Sequence, residues 1–156
     1  MMLTTFCASA FKAPDCCLLG VRRHDETAQR GKHLTAWLEI LEEDKSLDMQ
    51  QLYLIGSSLG GASLIPVLND YDAKALITLS AGRSSSSETE MALSSSMTKT
   101  YFVATKNDPL GANVNALEYG KKAIAGTTLI LSGDGHGTVL LPKVQKYIFL
   151  FIELSR

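Results

Sequence analysis

The chain has no excess of basic residues: fifteen Lys and Arg stand against sixteen Asp and Glu, a formal charge of -1. That excludes a surface built to hold a phosphate backbone or an anionic membrane, so nucleic acid is not an expected partner. Nor does any apolar run approach the roughly eighteen residues that a membrane-spanning helix needs. Cysteine is scarce, and its three copies, Cys7, Cys16 and Cys17, all fall near the start. They have neither zinc-site spacing nor the even count of a disulfide framework, so they read as buried or half-exposed thiols in a reducing compartment, and no metal or cofactor is expected. Residues 1–13 lack the basic start and clean apolar stretch of a secretion signal, and Lys12, Pro14 and Asp15 close them off. These absences together predict a cytoplasmic protein.

What is present is an ordinary globular composition, 156 residues of which 46% are hydrophobic and 20% charged, enough for one domain over 1–156 with a sizeable core. Short apolar runs at 16–21, 52–55, 75–79, 101–104 and 127–131 read as buried strands, and helical patterns separate them. Leu34, Trp37, Leu38 and Leu41 recur at helical spacing over 27–44 and give one apolar face, with His33 beside it in solvent. His24 reads as solvated too, in the charged connection 22–26. A helix that follows Ile55 is interrupted by Pro66. Residues 112–125 read as a helix closed by Gly126, and Pro142 suits the first turn of a final helix whose Val144, Ile148 and Phe151 face one way. The serine-rich stretch 80–96 reads as loop, with at most a mobile flap at 81–96. Without repeats or linkers, this alternation predicts a three-layer α/β sandwich of about five mostly parallel strands.

Gly56-Ser57-Ser58-Leu59-Gly60 stands between the run at 52–55 and the apolar stretch through Ala62, Leu64 and Leu68. A serine in so sharp a strand-to-helix turn is held in strained geometry with its hydroxyl above the sheet edge, and Gly56 and Gly60 are expected where a side chain would collide. The helix starting near Leu59 points free N–H groups at any oxyanion formed there. Asp108 and His136 come later, each just beyond an apolar run, so Ser58, Asp108 and His136 all leave the same end of a parallel sheet, where ligands of open α/β sheets bind. Asp134 is the rival acid, although two residues from His136 it suits capping of its own turn. Ser57 is the rival nucleophile, at the position whose side chain points into the site wall or the adjacent helix.

In these loops the chain resembles the α/β-hydrolase family, whose order of elbow serine, acid and histidine it reproduces from about Leu18 to the C-terminus. The resemblance implies Ser58 as nucleophile, Asp108 as acid and His136 as base, with the Leu59 N–H as one donor of the oxyanion hole. The region between the third strand and Tyr101 is too short for the family's cap domain, so an open site is expected. The family's early His-Gly motif and first strands are missing, which implies a compact member or one incomplete at its N-terminus. The second oxyanion donor is then expected from residues 6–9, beside an edge strand at 2–5.

A serine hydroxyl needs a base within reach, imidazole can take its proton near neutral pH, and a carboxylate behind the ring fixes the tautomer. The expected function is cleavage of a small-molecule carboxylic ester or thioester with a small or medium acyl group. A non-catalytic α/β-hydrolase-like binding or scaffold protein, lacking a complete oxyanion hole, is the alternative. An interfacial lipase is a third reading, for which the chain offers no exposed apolar cap.

Overall fold

The structure is a computed structural model that describes residues 27–156. The strand expected at 16–21, the connection with His24, the three cysteines and the donor expected from 6–9 lie outside the described residues.

Among the described residues, four parallel strands form one sheet in sequence order: β1 (Tyr53–Ser57), β2 (Ala75–Leu79), β3 (Lys99–Asn107) and β4 (Gly126–Asp134). Helices lie on both faces, as the alternation of runs predicts. On one side pack α1 (Thr27–Glu42), α2 (Leu59–Leu64), α3 (Ser87–Ser95) and α4 (Ala112–Lys122), whose apolar residues join Leu54, Leu76, Phe102 and Ala104 of the strands. On the other, α5 (Leu141–Glu153) lays Val144, Ile148 and Ile152 over Ile77, Leu79, Tyr101 and Val103. Successive strand residues thus feed opposite cores, and because both faces of β2 are covered its sequence is a continuous apolar run, Ala-Leu-Ile-Thr-Leu. Tyr101 stacks on Phe151 of α5, and Phe102 meets Tyr119 of α4 on the opposite face. Strand β1, at the edge of the sheet among the described residues, is less enclosed: Leu54 is buried, while Ile55 on the α5 side is 41% exposed.

Several local expectations need correction. The stretch 80–96 is not all loop, since it holds α3. The Ser86 side chain caps that helix by accepting from Thr89 N–H, Glu88 and Glu90 occupy its first turn, and Ala92 and Leu93 anchor it in the core. Gly126 does not cap α4, which ends at Lys122 with Ala123 as its extended cap. Gly126 instead opens β4 opposite Thr100, where a Cβ would run into the Gly120 carbonyl. Pro66 acts as expected: α2 lasts six residues before the chain tightens into a 3₁₀ turn at Pro66–Asn69. Pro142 lies in the first turn of α5.

Among the described residues no helix is long and apolar enough to cross a membrane, no three His, Cys, Asp or Glu side chains gather as a metal site, and no inserted cap covers the carboxyl ends of the strands.

Candidate active site

Ser58 occupies the turn between β1 and α2 with φ 53° and ψ -125°, a combination that costs a non-glycine residue about 1–3 kcal/mol and persists only where its surroundings over-determine it. They do so here. Ser58 N–H continues the sheet ladder to Leu79 O at 2.9 Å, and its carbonyl accepts from both Ala62 N–H and Gly82 N–H. Gly56 is required by the crossing of β1 and α2, because a Cβ there would stand 2.7 Å from Gly61 Cα. The expectation for Gly60 is overturned: no described atom lies within 4 Å of where its Cβ would be, and the cramped partner on the helix is Gly61, backed by Thr78. Helix geometry explains the change, since Gly61, and not Gly60, points at the strand.

Asp108 follows β3 in an Asp-Pro-Leu-Gly turn, with Pro109 setting the first central φ and Gly111 taking φ 71° as the cap of α4. The carboxylate accepts Leu110 N–H at 2.9 Å and Ala112 N–H at 3.4 Å through Oδ1. Its side chain is fully out of solvent. Burial pushes the acid up, yet the Leu110 amide, the nearby Ser80 hydroxyl, His136 and the Ala112 amide together hold it below the ordinary carboxylate range. Of these the Ser80 hydroxyl acts from just beyond hydrogen-bond geometry, since its Oγ is buried without a partner.

His136 sits in a turn in which Gly133, Gly135 and Gly137 all take positive φ. This turn is fastened from below: the buried Thr105 hydroxyl of β3 donates to Gly135 O at 2.7 Å. The result is a continuous hydrogen-bonded chain. His136 Nδ1 lies 2.9 and 3.0 Å from the two Asp108 oxygens, and Nε2 lies 2.8 Å from Ser58 Oγ. With the ring proton on Nδ1, that N–H donates to the carboxylate and Nε2 is left to accept from the serine hydroxyl.

The rivals fall outside this chain. Asp134 ends β4, exposed, and bonds no amide of its turn among the described residues, so the capping expected of it is absent. Ser57 Oγ is directed at the histidine loop, 2.7 Å from where a Gly137 Cβ would stand, and the small residue at 137 makes room for it. His33 is exposed on α1, on the layer of helices opposite α5. Leu59, as the first residue of α2, has no preceding helical carbonyl for its N–H, which makes no backbone hydrogen bond among the described residues.

Sequence reading alone passed over Thr105, Ser80, Asn115 and Tyr119. Asn115 Nδ2 donates to Ala81 O at 3.1 Å, and Tyr119 Oη donates to Gly82 O at 2.8 Å, pinning the turn after β2 beside the elbow. Burial raises the Tyr119 phenol, and the Ser84 amide that it accepts partly offsets this. The available signal was spacing: Asn115 and Tyr119 stand four apart on α4, as polar groups on its buried face.

No protein-family model matches the chain, and no curated protein is similar enough to match. Solved structures do. A predicted CIB-like hydrolase from Thermoplasma acidophilum superposes with a TM-score of 0.61 at 17% identity, over 80% of this chain and 58% of that one. SOBER1 of Arabidopsis thaliana gives 0.60 at 20%, over 83% and 64%. An alpha-beta serine hydrolase homologue from Coxiella burnetii gives 0.59 at 16%, over 85% and 61%. The chain has the α/β-hydrolase fold, without a cap among the described residues, and spans about three fifths of the length of these structures.

Proposed function

We propose that the chain is a serine hydrolase that cleaves a carboxylic ester or thioester of a small or medium acyl group. The single observation that carries this reading is the hydrogen-bonded chain from Ser58 Oγ through His136 to Asp108, set at a strained strand-to-helix turn. Ser58 Oγ attacks the substrate carbonyl as His136 Nε2 takes its proton, and the Leu59 N–H stabilises the oxyanion. Nε2 then returns the proton to the departing alcohol or thiol. Asp108, held ionised by its amides, keeps the ring oriented and balances the imidazolium. Water repeats the sequence to release the acid. The reading takes the protein as cytoplasmic, with a small-molecule substrate and no nucleic-acid partner.

A second reading, a binding or scaffold protein on the same fold, is favoured by one observation: among the described residues the hydrolase reading has a single candidate oxyanion donor, Leu59 N–H, and losing a donor costs about 10²–10³ in turnover. A fluorophosphonate probe decides between them. Labelling of the folded protein that vanishes in Ser58→Ala, together with turnover of p-nitrophenyl acetate or butyrate, supports the hydrolase. A folded, unlabelled protein overturns it in favour of the scaffold.

A further inference from the structure

The turn after β2 is bonded to the elbow on one side and to α4 on the other. Gly82 N–H donates to the Ser58 carbonyl at 3.0 Å. The carbonyl of the same peptide unit, Ala81 O, accepts from Asn115 Nδ2 at 3.1 Å. Because a peptide unit is planar, fixing the direction of its carbonyl fixes the direction of its N–H as well. One residue on, Tyr119 Oη donates to Gly82 O at 2.8 Å and accepts Ser84 N–H at 2.6 Å. Both side chains are almost wholly buried, and Tyr119 is braced by its ring contact with Phe102 of β3. The same helix donates its first amide, Ala112 N–H, to the Asp108 carboxylate.

We propose that Asn115 and Tyr119 are positioning residues for the Ser58 nucleophile, making α4 a strut that sets the elbow and the acid turn at a fixed distance from each other. The inference rests on the hydrolase reading above. Ser58 holds an unfavourable φ and ψ. Of the two donors to its carbonyl, Ala62 N–H belongs to the first turn of α2, and Gly82 N–H alone comes from another element. Releasing the Ala81–Gly82 peptide frees Ser58 to relax, and Oγ then leaves the 2.8 Å contact with His136 Nε2. Neither Asn115 nor Tyr119 touches the reacting atoms, so their loss lowers kcat and leaves KM in place.

The experiment measures the rate at which a fluorophosphonate probe labels Ser58 in the full chain, kcat and KM on a p-nitrophenyl ester, thermal unfolding, and hydrogen exchange at the Gly82 amide. Asn115→Leu removes the amide donor at similar volume. Tyr119→Phe removes only the hydroxyl and keeps the ring on Phe102. Thr128→Val serves as control, since it deletes the bond from Thr128 Oγ1 to Ala116 O on the same helix, away from the turn. Labelling and kcat are expected to fall by about 10- to 10²-fold in Asn115→Leu. In Tyr119→Phe, which deletes the bonds to Gly82 O and from Ser84 N–H, the fall is about 5- to 20-fold. Gly82 exchange accelerates in both, and the control keeps wild-type labelling whatever its melting temperature. Wild-type labelling in both variants, or an equal fall in the control, overturns the proposal. An unlabelled wild type overturns the hydrolase reading instead. The strut then stands or falls on whether Gly82 exchange accelerates in the two variants and not in the control.

Discussion

Ser58 and Ser80 end neighbouring parallel strands, and they are the only non-glycine residues with positive φ among those described, at 53° and 51°. Each continues the sheet by one bond, Ser58 N–H to Leu79 O and Ser80 N–H to Val103 O. Beyond that they part. The Ser58 hydroxyl meets His136 above the sheet, whereas the Ser80 hydroxyl is fully buried beside Asp108 and makes no hydrogen bond. The same residue, at the same strand end and with the same backbone sign, is a nucleophile candidate in one place and a buried dipole in the other. The path of the chain beyond each serine makes the difference. After Ser58, Gly61 lets α2 start at once against β1, and the hydroxyl is left outside the crossing. After Ser80 the chain is bonded to the elbow through Gly82 N–H and fastened to α4 through Ala81 O and Gly82 O, with the side chain left buried.

The comparison breaks most sharply at the two hydroxyls. Ser58→Ala should lower kcat on an activated ester by about 10⁵- to 10⁶-fold, as loss of a nucleophile does in a triad that works as a unit. Ser80→Ala should cost less than about tenfold, with a melting temperature equal to or above wild type, because an unpartnered buried hydroxyl is a liability of about 1–3 kcal/mol. Steady-state kinetics and thermal unfolding of both variants check the pair, and losses of similar size would abolish the distinction.

Asp108→Asn should come next, with kcat down by about 10⁴-fold at neutral pH, since an amide cannot hold the imidazole in the required tautomer. The carboxyl also links folding to pH. Its folded value lies below the ordinary range, so it contributes stability that is fully present above the unfolded value of about 4. That contribution is lost as pH falls through the folded value. Melting temperatures between pH 6 and pH 2 should therefore fall more steeply for wild type than for Asp108→Asn, and parallel curves would contradict the assignment.

A smaller effect separates the two glycines of the elbow. Gly56→Ala should destabilise by about 3 kcal/mol through overpacking against Gly61 and Leu64. Gly60→Ala should leave the melting temperature unchanged or raise it, since open space surrounds that position among the described residues and alanine favours a helix. Thermal unfolding of the two variants decides, and equal destabilisation would mean that both glycines are cramped. Smallest is Lys122→Ala. Its bond to Glu90 joins α4 to α3 and its bond to Glu118 stays within α4, both at the surface where such pairs contribute little, so melting temperature and labelling rate should stay within error of wild type.

The residues of the amino-acid sequence determined what depends on near neighbours. Runs of Leu, Ile, Val and Thr bury themselves as strands, period-3.6 faces bury themselves as helices, Pro66 breaks α2, and Pro142 opens α5. Ser58, Asp108 and His136 each come just after an apolar run, so their common edge was legible once the strands were read as parallel. Tertiary structure alone decided the rest. Whether serines at 84–87 form loop or the cap of a helix turns on Ala92 and Leu93 finding the core. Gly61 rather than Gly60 is cramped because of the angle at which α2 crosses β1. That Asp108 rather than Asp134 meets His136 depends on the pairing of β3 with β4, whose register shifts between Thr105 and Asn107 and sets Asn107 opposite Asp134. The bonds from Asn115 and Tyr119 to the turn after β2 span more than thirty residues. Local pattern carries no information about such a meeting, because contact at that separation depends on how every intervening strand and helix is packed.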